Sequence, residues 1–329
     1  MALDDTWNVV RPGQIGGTGN IYANTIEEHT GIVNGTIERK SVLSGWIPRP
    51  TVKGTPTITN FGVGEVDLQK ATVGVTPDGG TAKFGKVSLT IDTVILARHN
   101  LGLLEVEQIP YNARALIAQE QGKKIAKFSD TALFTQAIKA ALKTDTTYSG
   151  LSGAGHFGGN QQTLTLAADA LDPAKLVSAI LQLIVKFQLK DVDPTTDDAI
   201  LAVRPDAFGV LLQNEQLINT EYLNAQGNSV HGFVLKAYGV PVVSSNNIPN
   251  TLVSGHLLSN ATNGNAFDGD FTKVVGTMFT PNALLAGDAI PLTVESFYDN
   301  VTKQHFIDAH LAFSATPDRA EYAGVILKP

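Results

Sequence analysis

The hydrophobic pattern changes character several times along the chain. Through residues 1–50 apolar positions stand isolated among Gly, Asn and Thr (PGQIGGTGNIYANT, then EEHTGIVNGTIERK), and no period persists. Such a stretch cannot bury enough apolar surface alone, so it predicts an extended arm over 1–52 that is ordered only against something else. From residue 55 the pattern becomes β-branched: TPTITNFGVGEVDLQKATVGV, the turn sequence TPDGGT, then FGKVSLTIDTVILA. In the last stretch Val87, Leu89, Ile91 and Ile95 alternate onto one face. The prediction is a β-hairpin over 53–98 with arms of roughly 15–20 residues, about 50–65 Å each. Gly62, Gly64 and Gly74 are expected to bend or bulge its first arm. A lone two-stranded hairpin is barely stable in water. One this long needs a surface to lie on, its own globule or a neighbouring subunit, and removing about residues 60–90 should leave a folded core.

Residues 110–143 change to the helical period. Ile117, Ile125, Phe128, Ala132, Ile138 and Leu142 share one broad face, interrupted by Gln121, Lys124 and Lys139, with Pro110 in the first turn. At 1.5 Å per residue such a helix runs about 50 Å, the full width of a compact globule of this chain length. Residues 144–165 read as a loop. Asp172-Pro173 then opens a helix to about Leu189, with Asp172 as N-cap and Pro173 at the first helical position. Its buried face is expected to hold Leu176, Val177, Ile180, Leu181, Ile184 and Val185. A strand AILAV, a short helix from Arg204-Pro205-Asp206-Ala207-Phe208 to about Asn214, and a strand LKAYGVPVV complete an α/β piece. Residues 271–329 read as all-β: FTKVVGTMFT, IPLTVESFY, HFIDAHLAFSAT and AGVILK.

Composition narrows the function classes. The 329 residues are 43% hydrophobic, enough for a sizeable core, and 17% charged, against a usual ~25%. Sparse charge fits a surface partly covered by partners, and it fits an ordinary stable enzyme too. The net charge is −7 and the 24 Lys and Arg are scattered, which argues against a tight grip on a phosphate backbone. The absence of cysteine removes disulfides, thiolate metal sites and cysteine nucleophiles. MALDDTWNVV has acids where a signal peptide needs basic residues, and no apolar run reaches the ~18 residues of a membrane span. The expectation is a soluble chain made in a cytoplasm. The Asn-x-Thr sequons at Asn34, Asn260 and Asn300 are then chance matches.

Each chemical motif has a plainer reading. Gly16-Gly17-Thr18-Gly19 lacks the Lys-Ser/Thr of a phosphate loop and a preceding strand. Gly150-Leu151-Ser152-Gly153 misses the nucleophile elbow. His305 and His310 fall on opposite faces of a strand, which argues against a metal pair. The run from Asn263 to Asp270 resembles a calcium loop loosely but lacks the twelfth-position Glu and the flanking helices. The adjacent acids Glu27-Glu28 and Asp197-Asp198 diverge. No catalytic, cofactor-binding or metal residue is nominated, and no cofactor is implied.

The order of elements is the specific signal. Arm, long hairpin, long helix, central α/β piece and C-terminal strands resembles the tailed-phage major capsid proteins of the Hong Kong 97 type. Arg204-Pro205-Asp206-Ala207-Phe208 looks like that family's strand-to-helix junction. Tyr238-Gly239-Val240-Pro241-Val242-Val243 with Asn246-Asn247-Ile248-Pro249 resembles its Gly-Val/Ile-Pro-Val strand and following Ile-Pro. Thr316-Pro317-Asp318-Arg319-Ala320 resembles its terminal Pro-Asp/Glu segment. KVSLTIDTVILARHNLG looks closest to short-tailed phages of the podovirus or autographivirus kind. The resemblance covers about residues 52–329.

It implies an α+β Hong Kong 97-type phage capsid fold with an N-terminal arm 1–52, an extended hairpin (the E-loop) 53–98, a peripheral domain 99–165 with spine helix 110–143, an axial domain 166–285 and a return to the peripheral domain over 286–329. YGVPVVSSNNIP would then lie beside a capsomer's axis. The implied function is a non-enzymatic major capsid protein. Copies assemble into hexamers and pentamers of an icosahedral shell that encloses the genome and matures from a procapsid. Implied partners are the chain itself, a separate scaffolding protein, a portal and a decoration protein. Double-stranded DNA is enclosed without sequence-specific binding, and no membrane is involved. The implied place is the virion, after assembly in the host bacterial cytoplasm. The founding member cross-links a hairpin lysine; Lys70, Lys83 and Lys86 lie in this hairpin, but they read as surface lysines. Two other readings stay open: an α/β enzyme with a closed pocket, motivated by the Gly-rich loops, and a phage decoration or fibre module, motivated by the Gly/Asn/Thr-rich β content.

Overall fold

The computed structural model describes residues 41–329 apart from 44, 67, 69, 71–72, 75–80, 109–112, 154 and 215–235. The arm through residue 40, turn residues 76–80 and Pro110 lie outside the described residues.

Thr57–Val63 (β1) and Phe84–Thr90 (β2) form the hairpin. Their register is unbroken from Thr57↔Thr90 to Val63↔Phe84, and the Gly64 N–H adds one bond to the Lys83 carbonyl at 2.9 Å. The paired arms are seven residues each, well short of the expected length. The body beneath decides this. Gly62, Gly85, Val87 and Leu89 are buried on the inner face, whereas Val66, Leu68 and Val73 beyond the ladder are exposed. Because Val87 and Leu89 pack with Tyr148, Leu151, Ile91 and Ala312, the hairpin is part of the core, and the expected clean deletion of residues 60–90 would open it.

Gly62 also departs from expectation. It faces Gly85 across an unbroken register. A methyl on Gly62 would stand 2.9 Å from the Tyr148 ring, and one on Gly85 3.1 Å from Leu151. The facing glycines form a recess for these two side chains and bend nothing.

FGKVSLTIDTVILA, expected as one strand, is two. The Ile91 N–H donates to the Pro56 carbonyl at 2.9 Å and closes the hairpin's base. Residues 91–94 then cross over, and β3 (Ile95–Gly102) pairs with β12 (Gln304–Pro317). A short helix α1 (Leu103–Gln108) leads to the 30-residue α2 (Ala113–Leu142). From Ala132 to Ala141 α2 is buried almost all round, Thr135 and Gln136 included. A helix covered on every side shows no single stripe. Two of the three polar interruptions are pins. Gln121 Nε2 donates to the carbonyls of Ala97 in β3 (3.1 Å) and Ile307 in β12 (3.0 Å), and Lys139 Nζ donates to the Ala266 carbonyl at 2.7 Å. Lys124 is exposed.

After β4 (Asn160–Thr163), α3 (Pro173–Gln188) begins as expected. Asp172 Oδ1 accepts from the Ala174 and Lys175 N–H groups at 2.9 and 3.3 Å, and Pro173 is first in the helix. Leu181 and Val185, expected on the buried face, are 41% and 44% exposed. β5 (Ile200–Val203) runs through Arg204 into α4 (Pro205–Leu211). LKAYGVPVV, expected as one strand, is a tight hairpin: β6 (Lys236–Ala237), a Tyr238-Gly239 turn, and β7 (Val240–Ser244). Both turn residues have positive φ, +51° and +90°, the backbone of a two-residue turn whose twist matches its strands. Pro241 stands opposite Lys236, one residue before the ladder to β5 begins at Val242, where its missing N–H does least harm.

The small pair β8 (Leu252–Val253) and β9 (Gly269–Asp270) precedes β10 (Val274–Phe279). β11 (Leu284–Asp299), β12 and β13 (Ala323–Leu327) complete the chain. One sheet has the order β4-β13-β10-β5-β7-β6 and another β11-β12-β3. Helices α3 and α4 cover one face of the six-stranded sheet, against Leu201, Val203, Met278 and Ile326. The C-terminal half of α2 covers the other, against Ala202, Phe279 and Val325. The N-terminal half of α2 packs on the three-stranded sheet through Ala118 and Ile125, with Val294, Ala309 and Phe313. One helix therefore joins the two sheets.

At its middle lies a fully buried acid. Asp130 accepts from Ser41 Oγ, from the Val42 N–H at 2.8 Å and from Asn247 Nδ2 at 3.1 Å. It ties together the chain entering at residue 41, the long helix and the SSNNIP loop. Asp130→Ala removes the acceptor of the part-buried Val42 N–H and Asn247 Nδ2 and is expected to lower stability by about 3 kcal/mol. Asp130→Asn should cost well under half of that, because one amide oxygen can serve Val42 and Asn247 while the Ser41 hydroxyl turns to accept. Urea unfolding of the three proteins checks the order.

Candidate functional site

The chemical candidates are scattered. The uninterrupted register of β12 with β3 keeps His305 and His310 on opposite faces; His305 lies against Tyr298, ring centroids 4.7 Å apart. The run from Asn263 to Asp270 is held by its own side chains. Asp268 accepts from the Gly255 and His256 N–H groups (2.8 and 3.0 Å) and from Ser259 Oγ (2.7 Å), and these bonds, Ser259 first, hold its carboxyl below the usual range. A carboxylate so committed is a turn fastener. His256 is stacked between Phe128 and Phe267, each 5.2 Å away at 15°, and burial lowers its pKa. Asp197 and Asp198 belong to a turn whose Asp193 takes Thr195 N–H and Thr196 Oγ1. Ser152 is exposed in a loop with no strand before it. Lys70, Lys83 and Lys86 are exposed. Gly16–Gly19, Glu27, Glu28 and Asn34 lie outside the described residues. Among the described residues no cluster of three His, Asp or Glu is placed to hold a metal ion, and no helix is long and apolar enough to cross a membrane.

Among the described residues the hairpin and its root form a built constellation. Asp318, buried just after β12, accepts from Tyr148 Oη at 2.6 Å and from Asn60 Nδ2 of β1 at 2.7 Å. His156 Nε2 lies 2.7 Å from the Val63 carbonyl. A carbonyl can only accept, so Nε2 carries the proton. Burial, with Asp318 as hydrogen-bond acceptor, pushes the Tyr148 hydroxyl well above its ordinary value. Charge-assisted bonds and the glycine recess thus fix the hairpin's inner face. The outer face is different. Phe61 and Phe84 are 69% and 71% exposed, with Val63 beside them, and Leu68 past the ladder is 97% exposed. Val63 stands directly opposite Phe84, so these side chains are contiguous. Large apolar groups gathered on one exposed face mark an interaction surface.

Sequence reasoning found the hairpin but missed its anchor. Asp318 was legible only as part of a Pro-Asp segment, and nothing local links it to Asn60 or Tyr148, 258 and 170 residues away.

No protein-family model matches the chain, and no curated protein matches it either. Solved structures do. The capsid structure of cyanophage P-SCSP1u contains a chain similar to this one with a TM-score of 0.75 and 18% identity, over 88% of each chain. The mature capsid of bacteriophage PhiM1 gives 0.71 and 23% identity, over 88% of this chain and 87% of that one. The virus-like particle from Pyrococcus furiosus gives 0.54 and 10% identity, over 92% and 99%. The chain has the α+β fold of phage capsid shells of the Hong Kong 97 type.

Proposed function

We propose that the chain is a major capsid protein whose copies form hexameric and pentameric capsomers of an icosahedral shell around a phage genome. The observation that carries this reading is the hairpin: inner face anchored to its own body, outer face apolar and uncovered, on a fold shared with capsid chains over 88% of this one. A face of that kind is covered by a neighbouring copy placed head-to-tail around a ring. The chain's role is structural and non-enzymatic. Its partners are itself, a separate scaffolding protein, a portal and a decoration protein, and it is assembled in the host cytoplasm into the virion. The mild net charge of −7 suits a shell that encloses DNA without adhering to it.

The proposed division is an arm at 1–52, the hairpin at 53–98, a peripheral domain at 99–165 and 286–329, and an axial domain at 166–285. Two sheets, each packed on one half of α2, support two units. β4 and β13 pair within the six-stranded sheet, which supports adding residues 160–163 and 323–327 to the axial unit. Expression of the chain, alone and with the scaffolding protein of its phage, followed by light scattering and negative-stain microscopy, tests the function. Shells, tubes or ring-shaped capsomers are expected. A protein that stays monomeric under both conditions overturns the reading.

A further inference from the structure

A small cavity opens beside the junction of β5 and α4, where segments far apart in sequence meet. Arg204 stands on its wall at the junction itself, Lys328 just past β13, Asn250 on the loop after Pro249, and Thr272 between β9 and β10. Part of the lining is buried and apolar: Ala170 of the short 3₁₀ turn Ala167–Leu171, and Val275 of β10. The volume is about 60 Å³, several times the ~10–15 Å³ that one water requires. It is far below the ~300 Å³ at which pockets for drug-sized ligands begin. The space suits one small polyatomic ion and is too small for a nucleotide.

The polar groups on the wall have donors to spare. Of the Arg204 guanidinium, Nη1 donates to the Ile248 carbonyl at 3.3 Å. Asp206 Oδ1 lies 3.7 Å from Nε, too far for a hydrogen bond, and its side chain is 61% exposed. The rest of the guanidinium fork has no protein acceptor among the described residues, although the side chain is only 20% exposed. The backbone N–H of Lys328 donates to the Lys273 carbonyl at 2.7 Å. Among the described residues its ammonium makes no ion pair, and the Asn250 carboxamide makes no hydrogen bond. Thr272 is different, because its N–H and hydroxyl are both spent on Asp270 Oδ1, at 3.0 and 2.7 Å. One small space is thus lined by two cations, with a single solvated carboxylate offsetting one of them. Like charges on one wall gain nothing from each other. An anion between them gains charge-assisted hydrogen bonds, which are stronger than neutral ones.

We propose that this cavity binds one tetrahedral oxyanion of the inorganic phosphate type. The free edge of the Arg204 fork matches two oxygens of such an ion, and Lys328 adds a compact point charge. Asn250 Nδ2 supplies a neutral donor. The bound ion ties residue 328, at the end of β13, to the start of α4, and so fastens the last strand of the six-stranded sheet. The phosphodiester backbone of a nucleic acid offers the same chemistry, but a space of this size admits the free ion and excludes a phosphate flanked by two sugars. The inference concerns a single chain and stands apart from the shell reading.

Thermal unfolding of the full, unassembled chain in potassium phosphate and in potassium chloride, at one pH and matched ionic strength, tests it. The cavity exists only in the folded chain, so bound phosphate lowers the unfolding constant, by about 100-fold when the free ion is at about a hundred times its Kd. Phosphate also strengthens burial generally, by its exclusion from protein surfaces. Lys328→Gln separates the two effects. Its ammonium has no protein partner to lose, so the variant should fold, keep the general effect and lose the specific one. A phosphate gain over chloride that is larger in wild type than in the variant is expected. An equal gain in both proteins, or none in either, overturns the proposal. The backbone amide shifts of Ala207 and Val275, titrated with phosphate, give a second reading that does not depend on unfolding. Saturable movement in wild type that is lost in the variant supports the site, and movement alike in both, or absent from both, overturns it. Duplex DNA at equal total phosphate should leave these amides unmoved. Movement with DNA but not with the free ion overturns the proposal in favour of a nucleic-acid contact.

Discussion

A Phe61→Asp, Phe84→Asp double variant will fold and will not assemble. Both rings stand in solvent in the single chain, at 69% and 71% exposure, so their loss removes little of its own packing. Each belongs to a cross-strand pair, Phe61 with Lys86 and Phe84 with Val63, and such pairs contribute roughly 0.2–1 kcal/mol. An aspartate opposite Lys86 recovers part of that. The effect on contact between copies is far larger. Covering a phenylalanine contributes about 2–3 kcal/mol, and an unpaired carboxylate in its place adds several more of desolvation. Every copy in a ring makes the contact, so the penalty recurs at each joint. This expectation rests on the capsid reading. Unchanged circular dichroism with only a monomer peak in sedimentation is the expected result. Shells formed at wild-type yield would remove the hairpin's outer face from the assembly mechanism. The double substitution is also a cleaner probe than deletion, because it leaves Val87 and Leu89 in place.

The second large effect is internal. Gly158 and Gly159 cross the last turn of α2 with their backbones against it. A methyl on Gly159 would collide with the Ala140 and Ala141 carbonyls, and one on Gly158 with the Thr144 carbonyl. No side chain can turn aside, because the obstacles are backbone. The Gly159 N–H donates to the Lys143 carbonyl at 2.8 Å, and Lys190 clasps both glycine carbonyls. Moving this crossing away drags β4 off the sheet. Gly159→Ala is expected to lower stability by about 3 kcal/mol or more, a large share of the ~5–15 kcal/mol of an ordinary domain, and to leave most of the chain insoluble. Gly209→Ala is the contrasting control. In α4 that glycine has open space around it, so alanine should stabilise by about 0.5–1 kcal/mol. Denaturation midpoints moving in opposite directions would confirm the pair. Equal, small shifts would discount the backbone collision.

These two cases show what was legible in the sequence. Local signals carried well. β-Branched alternation gave the hairpin, Asp172-Pro173 gave the start of α3, and Arg204-Pro205 gave the junction into α4. What failed depended on a distant partner. The alternation from Val87 to Ile95 is interrupted only at Thr93, yet Ile91 belongs under the hairpin and Ile95 to another sheet, because Pro56 and β12 claim the two ends. Gly62 looked like a bend until Tyr148 filled the recess. Gln121 looked like a flaw in a stripe until two strands took its amide. Tyr238-Gly239 lay inside an apolar run, and tyrosine does not advertise a positive φ. For the site, the hairpin was visible and its anchor was not. Asn60, Tyr148 and Asp318 meet only because three separate segments converge.

The placement of β13 has a consequence for synthesis. Of the strands described, it is made last, yet it sits inside the six-stranded sheet between β4 and β10. Until the ribosome has released residues 323–327, β4 has no partner and α2 and α3 lack part of the surface they cover. The acid that anchors the hairpin, Asp318, also emerges only at this late stage. A chain that has not yet reached these residues has its hairpin unanchored at Asp318. On the capsid reading, contact between copies then waits on the order in which the sheet is completed.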